Sequence, residues 1–98
     1  MPYNETKKKE ELVDKWITVY SQHNANTRFG TKVVYTATLA DAANEPQNYF
    51  DFFGSTVLDA ELATEILPVT IRLRKAIGKN GKKYYLFDKK SVYTQAAL

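Results

Sequence analysis

The chain of 98 residues contains no cysteine and a single histidine, His23. Without cysteine it can form neither a disulfide nor a thiolate metal site, and one histidine cannot build a histidine-based metal site by itself. No apolar run approaches the ~20 residues that span a membrane. The first residues, MPYNETKKKEE, lack the apolar segment of a signal peptide. We therefore expect one cytoplasmic domain, with no membrane span and no cofactor.

Sequence patterns that are typical of enzymes are also missing. The chain has no Gly-rich phosphate loop, no G-x-S-x-G and no H-E-x-x-H. Asp51, Asp59 and Glu61 are predicted at a strand end and on an exposed helix face, where a paired-carboxylate site would lack support. We expect no catalytic residue, no metal ligand and no enzymatic activity.

The charge of the chain is unevenly distributed along its length. Residues 1–40 carry six Lys/Arg and four Asp/Glu, residues 41–65 carry six Asp/Glu and no Lys/Arg, and residues 66–98 carry eight Lys/Arg and one Asp. A basic stretch of this kind is typical of proteins that bind polyanions. Lysines on an exposed edge hairpin would also fit, because they block edge-to-edge aggregation.

Alternating apolar residues predict strands in the first half of the chain. Residues 32–40 form one strand, with Val33, Tyr35, Ala37 and Leu39 on one face. Residues 49–53, YFDFF, form another, after a loop over residues 41–48 that contains Pro46. A helix is predicted over about residues 57–65, capped by Ser55 or Thr56 and ended by Pro68.

The stretch before these strands fits two patterns. Leu12, Val13, Trp16, Ile17 and Tyr20 have helical spacing, whereas residues 15–21 also alternate as a strand, with Trp16, Thr18 and Tyr20 on one side. A short helix over residues 5–14 that leads into a strand reconciles both patterns. Residues 22–31, QHNANTRFGT, are predicted to be a loop in which Arg28 and Phe29 lie at the tip and His23 is solvated.

Residues 67–88 predict a β-hairpin around Asn80-Gly81. If these two residues form a type I′ turn, Lys79 faces Lys82, Ile77 faces Tyr84 and Lys75 faces Leu86. Ile71, Leu73, Tyr84 and Leu86 then share the core face, while the other face carries Arg72, Arg74, Tyr85, Phe87 and Lys89. A shift of one residue would exchange the two faces.

The predicted order is three strands, a helix and two strands. We expect an all-β protein with one or two helices, in which a five-stranded OB-fold-type Greek-key barrel has its helix between strands 3 and 4. The barrel would span residues 15–90 of a single domain, after a charged arm or short helix over residues 1–14 and before a tail over residues 91–98. In the tail, Val92 and Tyr93 extend the last strand or pack on it.

Four short patterns occur in a characteristic order: an FG-x-x-hydrophobic start to the second strand, an aromatic FGS turn into the helix, an LPV start to the fourth strand and a KNGK-x-YY ending. In this combination, roughly residues 16–88 resemble the small OB-type single-stranded DNA-binding proteins encoded by phages and mobile elements of Gram-positive bacteria. The resemblance implies DNA binding without catalysis, in replication or recombination. The acidic segment 41–65 and the charged N-terminal arm are not part of the resemblance.

Two hypotheses about function follow. In the first, exposed aromatic residues stack on the bases of single-stranded DNA and cations meet its phosphates; the residues expected to do so are Trp16, Tyr20, Arg28, Phe29, Phe53, Arg72, Arg74, Lys82, Lys83, Tyr85 and Phe87. Replication or recombination proteins and further copies of the chain are additional partners that this hypothesis leaves open. In the second, the chain is a small protein-interaction module or a phage-encoded inhibitor of a host protein, which uses its acidic segment 41–65 or an exposed aromatic patch.

Overall fold

The computed structural model describes residues 4–89, a mostly β structure with two short α-helices. The strands and helices follow the predicted order, with one additional short strand at the beginning. Their bounds are β1 Glu5–Thr6, α1 Lys9–Leu12, β2 Trp16–Thr27, β3 Gly30–Leu39, β4 Phe50–Phe53, α2 Thr56–Leu62, β5 Val69–Ile77 and β6 Lys83–Lys89, and a 3₁₀ turn covers Pro46–Asn48. No helix in this part of the chain is long and apolar enough to cross a membrane. The predictions for the tail fall outside the described residues.

The strands form one six-stranded mixed sheet in the order β1-β4-β3-β2-β5-β6. All neighbouring pairs are antiparallel except β1 and β4, which are parallel. Within residues 4–89 the sheet has two edges, β1 and β6, so it is not the closed five-stranded barrel that we predicted. To close such a barrel, β6 would have to pair with the free edge of β4. The short β1 already pairs with that edge, so β6 cannot.

One face of the sheet carries the hydrophobic core. The alternation predicted for β2 and β4 matches the burial, whereas in β3 it holds only in part: Tyr35 and Ala37 are buried as predicted, but Leu39 is exposed, and Val34 and Thr38 on the other face are buried as well. The core cluster contains residues of β2 to β5 and of both helices: Leu12, Ile17, Val19, Tyr35, Ala37, Phe50, Phe52, Leu58, Leu62, Ile71 and Leu73. Because Leu58 and Leu62 come from α2 and Leu12 from α1, both helices cover this face. We call the opposite side of the sheet the outer face.

The turn before α2 explains the FGS pattern. The hydroxyl of buried Tyr35 donates a 2.7 Å hydrogen bond to Oδ1 of Asp59, in the first turn of α2. A Cβ atom on Gly54 would collide with Asp59 and with the Tyr35 ring, so only glycine lets the chain pass here. Of the two residues predicted to cap this helix, Ser55 is at the N-cap position, but its hydroxyl makes no capping hydrogen bond and is buried without a hydrogen-bond partner among the described residues.

The prediction of a loop over residues 22–31 is wrong. β2 and β3 continue through this region as paired strands, joined by a two-residue turn of Arg28 and Phe29. A bulge at Tyr20 lies between the paired residues Val19 and Ser21 and shifts the register of β2 against β3. The polar side chains from Gln22 to Thr27 suggested a loop, but a ribbon that is solvated on both sides needs no apolar alternation to form strands.

The predicted register of the β5–β6 hairpin is off by one residue. Ile77 lies opposite Lys83 and Leu73 opposite Phe87. The turn contains three residues rather than two: the N–H of Gly78 donates to the carbonyl of Lys82 (2.8 Å), and the N–H of Gly81 donates to the carbonyl of Gly78 (2.9 Å). Gly81 alone in this turn has a left-handed backbone, with φ 79°, which fits a three-residue hairpin and not a type I′ turn.

Candidate nucleic-acid interface

The shift of register decides which side chains of the hairpin share the outer face. Arg72 and Arg74 lie there as predicted, because the alternate residues of β5, Ile71 and Leu73, are buried in the core. Their neighbours on β6 are Leu86, opposite Arg74, and Asp88, opposite Arg72. Tyr84 is on the same face as Leu86 and lies opposite Ala76. Sequence reasoning assigned Tyr84 and Leu86 to the core, and both are only half-buried.

A row of three side chains crosses the outer face from β2 to β6. Trp16 lies opposite Arg72, and Arg72 lies opposite Asp88. The Arg72 guanidinium is 5.2 Å from the centre of the Trp16 ring, within the range of a cation–π contact. Its Nη2 is 2.9 Å from Oδ2 of Asp88, and Nε of Arg74 is 3.5 Å from the same oxygen. Asp88 therefore holds two guanidinium groups side by side, one of them against an indole ring.

Trp16 remains accessible in this arrangement, with 37% of its surface exposed. The surface beside it is concave and is lined by Lys15, Leu39, Ala40 and Asp41. The exposed part of the indole thus lies beside Lys15 and the guanidinium of Arg72, and the carboxylate of Asp41 lines the same concave surface. Stacking on an exposed aromatic beside cations is the usual way in which proteins hold single-stranded nucleic acid.

The middle of the outer face is built from small polar residues. Thr18 lies between Thr38 on β3 and Thr70 on β5, and the hydroxyls of Thr18 and Thr70 are 3.0 Å apart. Beyond this row the rings of Tyr20 and Tyr49 lie 5.9 Å apart, tilted by 46°. Both tyrosines are half-buried. The predicted stacking residue Tyr20 therefore lies on the same side as Trp16 and is packed against a second tyrosine that the sequence prediction did not include.

Phe53 ends β4 with 39% of its surface exposed. It pairs with Val34, and its neighbour Phe52 points into the core, so Phe53 lies on the outer face as predicted. Its carbonyl accepts a 2.9 Å hydrogen bond from Nζ of Lys9. The cleft beside Phe53 is lined by Thr6, by three consecutive lysines, residues 7–9, by the acidic Glu10 and by Tyr85.

Phe87 and Tyr85 do not lie on the face that carries the arginines, which corrects the prediction for both. Phe87 is opposite the buried Leu73 and packs against the core. Tyr85 is half-buried, with Nζ of Lys9 5.5 Å from its ring centre and its hydroxyl 3.4 Å from Oε1 of Glu10. Burial raises the pKa of Tyr85, and the Glu10 carboxylate raises it further. Burial lowers the pKa of the Lys9 ammonium.

Several cations of the basic third are paired with carboxylates. Lys75 lies 2.8 Å from Glu10, and Lys89 lies 3.0 Å from Glu65. The hydrogen bond from Lys75 and its positive charge lower the pKa of Glu10, and the same hydrogen bond raises the pKa of Lys75. The predicted phosphate contacts Lys82 and Lys83 are exposed at the end of the hairpin, close to Lys79 in the turn. We call these three residues the lysine loop.

The acidic segment 41–65 is partly used within the fold. Asp51 accepts hydrogen bonds from Thr36 (2.8 Å) and Asn4 (3.0 Å), Asp59 accepts one from Tyr35, and Glu65 pairs with Lys89. The opposite charges of this segment and the basic third therefore meet in one ion pair of the described residues, between Glu65, which follows α2, and Lys89 at the end of β6. Among residues 4–89, no three His, Asp or Glu side chains come together as a metal site would need.

The remaining predicted residues, Arg28 and Phe29, lie at the end of the β2–β3 hairpin, apart from the row that contains Trp16. Phe29 has 82% of its surface exposed, and Arg28 is also exposed. Comparisons of the chain with protein-family models, with curated proteins and with solved structures gave no match.

Proposed function

We propose that this protein binds single-stranded DNA on its outer face without catalysis and without preference for a base sequence. The observation that carries the proposal is the row of Trp16, Arg72 and Asp88. It presents an accessible indole whose ring is already flanked by a guanidinium. A base stacks on the free side of the indole, and the phosphates beside it meet Arg72 and Arg74.

The chain order supports an OB-type relationship for this sheet. Five strands, β2 to β6, contain α2 between the third and the fourth, and β2 pairs with both β3 and β5. The chain thus crosses from one side of β2 to the other by way of α2, as a Greek-key connection does. We propose that the fold is an OB-type barrel opened along one seam, with β1 seated at that seam, and that the protein acts in replication or recombination of phage or mobile-element DNA.

Electrostatics adds a second contribution to binding. The lysine loop is exposed, and none of its three side chains is within ion-pair distance of a carboxylate in the described part of the chain. Lys79 and Lys82 neutralise phosphates of a strand that leaves Trp16 along the hairpin, and each phosphate contact adds about 0.7 to the slope of log affinity against log salt. Lys83 lies on the side of β6 that carries Tyr85 and Phe87. Tyr84, on the outer face near this loop, offers a further ring for stacking.

The protein-interaction hypothesis is less well supported. It needs the acidic segment as a free surface that imitates a nucleic acid, but Asp51, Asp59 and Glu65 are engaged by other residues of the chain. Glu45 also accepts a hydrogen bond from Gln47, so among the described residues two acidic side chains of this segment, Asp41 and Glu61, are left for such a surface. The exposed aromatic rings lie beside cations, which fits a nucleic acid better than an apolar protein contact.

A titration with labelled oligo-dT tests the proposal. We expect binding at low salt that weakens as salt is raised, and we expect Arg72→Ala to reduce the salt slope by about 0.7. Ile66→Ala is the control, since Ile66 is an exposed apolar residue that follows α2. Absence of binding at low salt, or equal affinity of the Arg72→Ala and Ile66→Ala proteins, would contradict the proposal.

A further inference from the structure

The far end of the β2–β3 hairpin extends beyond the rest of the sheet. β5 pairs with β2 only over Trp16–Val19, and β4 pairs with β3 only over Val34–Ala37, with one more hydrogen bond from the N–H of Gly54 to the carbonyl of Val33. Residues 25–32 therefore pair with each other alone. From here on we call this two-stranded ribbon the arm; it is distinct from the charged N-terminal arm. It projects by roughly 13 Å, which is the length of four residues at the rise of a strand.

The tip of the arm is held in one shape by the side chain of Thr27. Its Oγ1 donates a 2.7 Å hydrogen bond to the carbonyl of Gly30 and accepts a 3.1 Å hydrogen bond from the N–H of Phe29. Below the tip, Oγ1 of Thr31 donates to Oδ1 of Asn26 at 3.1 Å. The arm thus carries its phenyl ring in solvent on a turn with several hydrogen bonds. A ring that is exposed in this way contributes little to the stability of the fold.

The charge of the arm indicates what its partner is. Residues 15–40 contain no Asp or Glu, and the arm carries Arg28 and Lys32 beside the amide of Asn26. An apolar pocket on a protein can accept an arm that carries carboxylates, but the phosphates of a nucleic acid repel carboxylates. The lack of acidic residues therefore favours a nucleic acid as the partner. A two-stranded β-ribbon also has dimensions that fit a groove of duplex DNA.

We infer that the arm engages double-stranded DNA next to the bound single strand, and that Phe29 inserts at the last base pair of that duplex. The inference rests on the proposed function, because the outer face must hold the single strand. Apolar side chains that enter a base step unstack it, and a step at a duplex end is the least costly to open. The preferred substrate is then a junction of single-stranded and double-stranded DNA.

Three labelled DNAs test the inference: an oligo-dT, a duplex carrying the same oligo-dT as a tail, and the blunt duplex. In the tailed duplex, 2-aminopurine replaces the base at the junction, so that unstacking raises its fluorescence. The wild-type protein should bind the tailed duplex about 5- to 150-fold more tightly than the oligo-dT, which is the gain in affinity expected when one aromatic ring stacks on a base. It should also raise the 2-aminopurine signal.

Phe29→Ala is the decisive variant, and Ile66→Ala is its matched control. We expect Phe29→Ala to abolish both the preference for the tailed duplex and the fluorescence increase, while the melting temperature stays nearly unchanged. Loss of affinity for the oligo-dT and the tailed duplex by the same factor would overturn the inference while the proposed function stands, since Phe29 would then stack on the single strand. An unchanged preference in Phe29→Ala would overturn it as well. If the wild-type protein binds neither the oligo-dT nor the tailed duplex at low salt, the inference about the arm and the proposed function both fail.

Discussion

Asp88 gives the sharpest prediction of the account, because it competes with DNA for the two arginines of the outer face. Its Oδ2 lies 2.9 Å from Nη2 of Arg72 and 3.5 Å from Nε of Arg74. A phosphate that binds the other side of the same guanidinium would lie about 5–6 Å from this carboxylate, two charge-assisted hydrogen-bond lengths away. Asp88→Asn should therefore strengthen binding of single-stranded DNA.

The size of the effect follows from Coulomb's law. Removing one negative charge at about 5–6 Å from a phosphate contributes about 0.8 kcal/mol in bulk water, which is roughly a fourfold gain in affinity. An arginine that no longer pairs with Asp88 neutralises a phosphate more completely and so releases more of the cations condensed on the DNA; the salt slope should therefore also steepen, by up to about 0.7 per phosphate. The fold should lose at most about 1 kcal/mol, since both partners are more than one-third exposed.

Fluorescence anisotropy with labelled oligo-dT at two salt concentrations measures both effects, and a thermal melt reports the fold. Glu61→Gln is the matched control: it removes the same charge from an exposed position on α2, away from the outer face. We expect Asp88→Asn to bind more tightly than Glu61→Gln. Equal affinities of the two folded variants would show that the net charge acts and that the DNA does not touch Arg72 or Arg74.

Three further predictions concern the fold. Phe87→Ala should lower the free energy of unfolding, measured in urea, by about 2 kcal/mol, which is less than the loss expected for a fully buried phenylalanine. Tyr84→Ala should lower it by less than about 1 kcal/mol and should weaken DNA binding. The opposite result for the two variants would support the type I′ register. Gly81→Val should cost roughly 1–3 kcal/mol, because φ is 79° there, and an unchanged melting temperature would contradict this turn. Burial, with the hydrogen bond to Asp59, raises the pKa of Tyr35, so the folded state holds this proton more tightly than the unfolded state. The raised pKa contributes fully to the free energy of unfolding below pH 10, and this contribution is lost as the pH rises above 10. Between pH 10 and pH 11 the Tyr35→Phe protein should therefore lose less stability than the wild type, by at most about 1.4 kcal/mol per pH unit. Equal losses of stability in the two proteins would contradict the raised pKa of Tyr35.

Alternation of apolar residues was enough to predict most of the sheet. Ile17 and Val19 are buried while Trp16 and Thr18 face outward, and in β4 Phe50 and Phe52 are buried while Phe53 is exposed. In these strands one face packs on the core and the other does not, so burial imposes a period of two. In β3 the pattern is weaker, because Val34 and Thr38 are also buried on the outer side and Leu39 is exposed. The placement of Trp16 beside Arg72 needed the pairing of β2 with β5, which no local pattern contains.

The errors have two physical causes. In the β5–β6 hairpin, Tyr84 and Tyr85 are adjacent aromatic residues, so either could face the core, and the length of the turn alone decides between them. In the arm, strands form without any apolar alternation, because they are solvated on both sides, and the sequence therefore looked like a loop. Glu10 and Asp88 were missed as partners of Lys75 and Arg72 because ion pairs between distant residues leave no mark on local sequence.

The most direct test of the central claim uses the intrinsic fluorescence of Trp16, the single tryptophan of the chain. If a base stacks on its ring, adding unlabelled oligo-dT at low salt should quench the tryptophan emission. The quenching should saturate at the same DNA concentration as the anisotropy of a labelled oligo-dT. Trp16→Ala should weaken binding by about 1–3 kcal/mol with little change in melting temperature. DNA binding with no change in tryptophan emission, or with full affinity in Trp16→Ala, would place the DNA elsewhere on the protein and contradict the account.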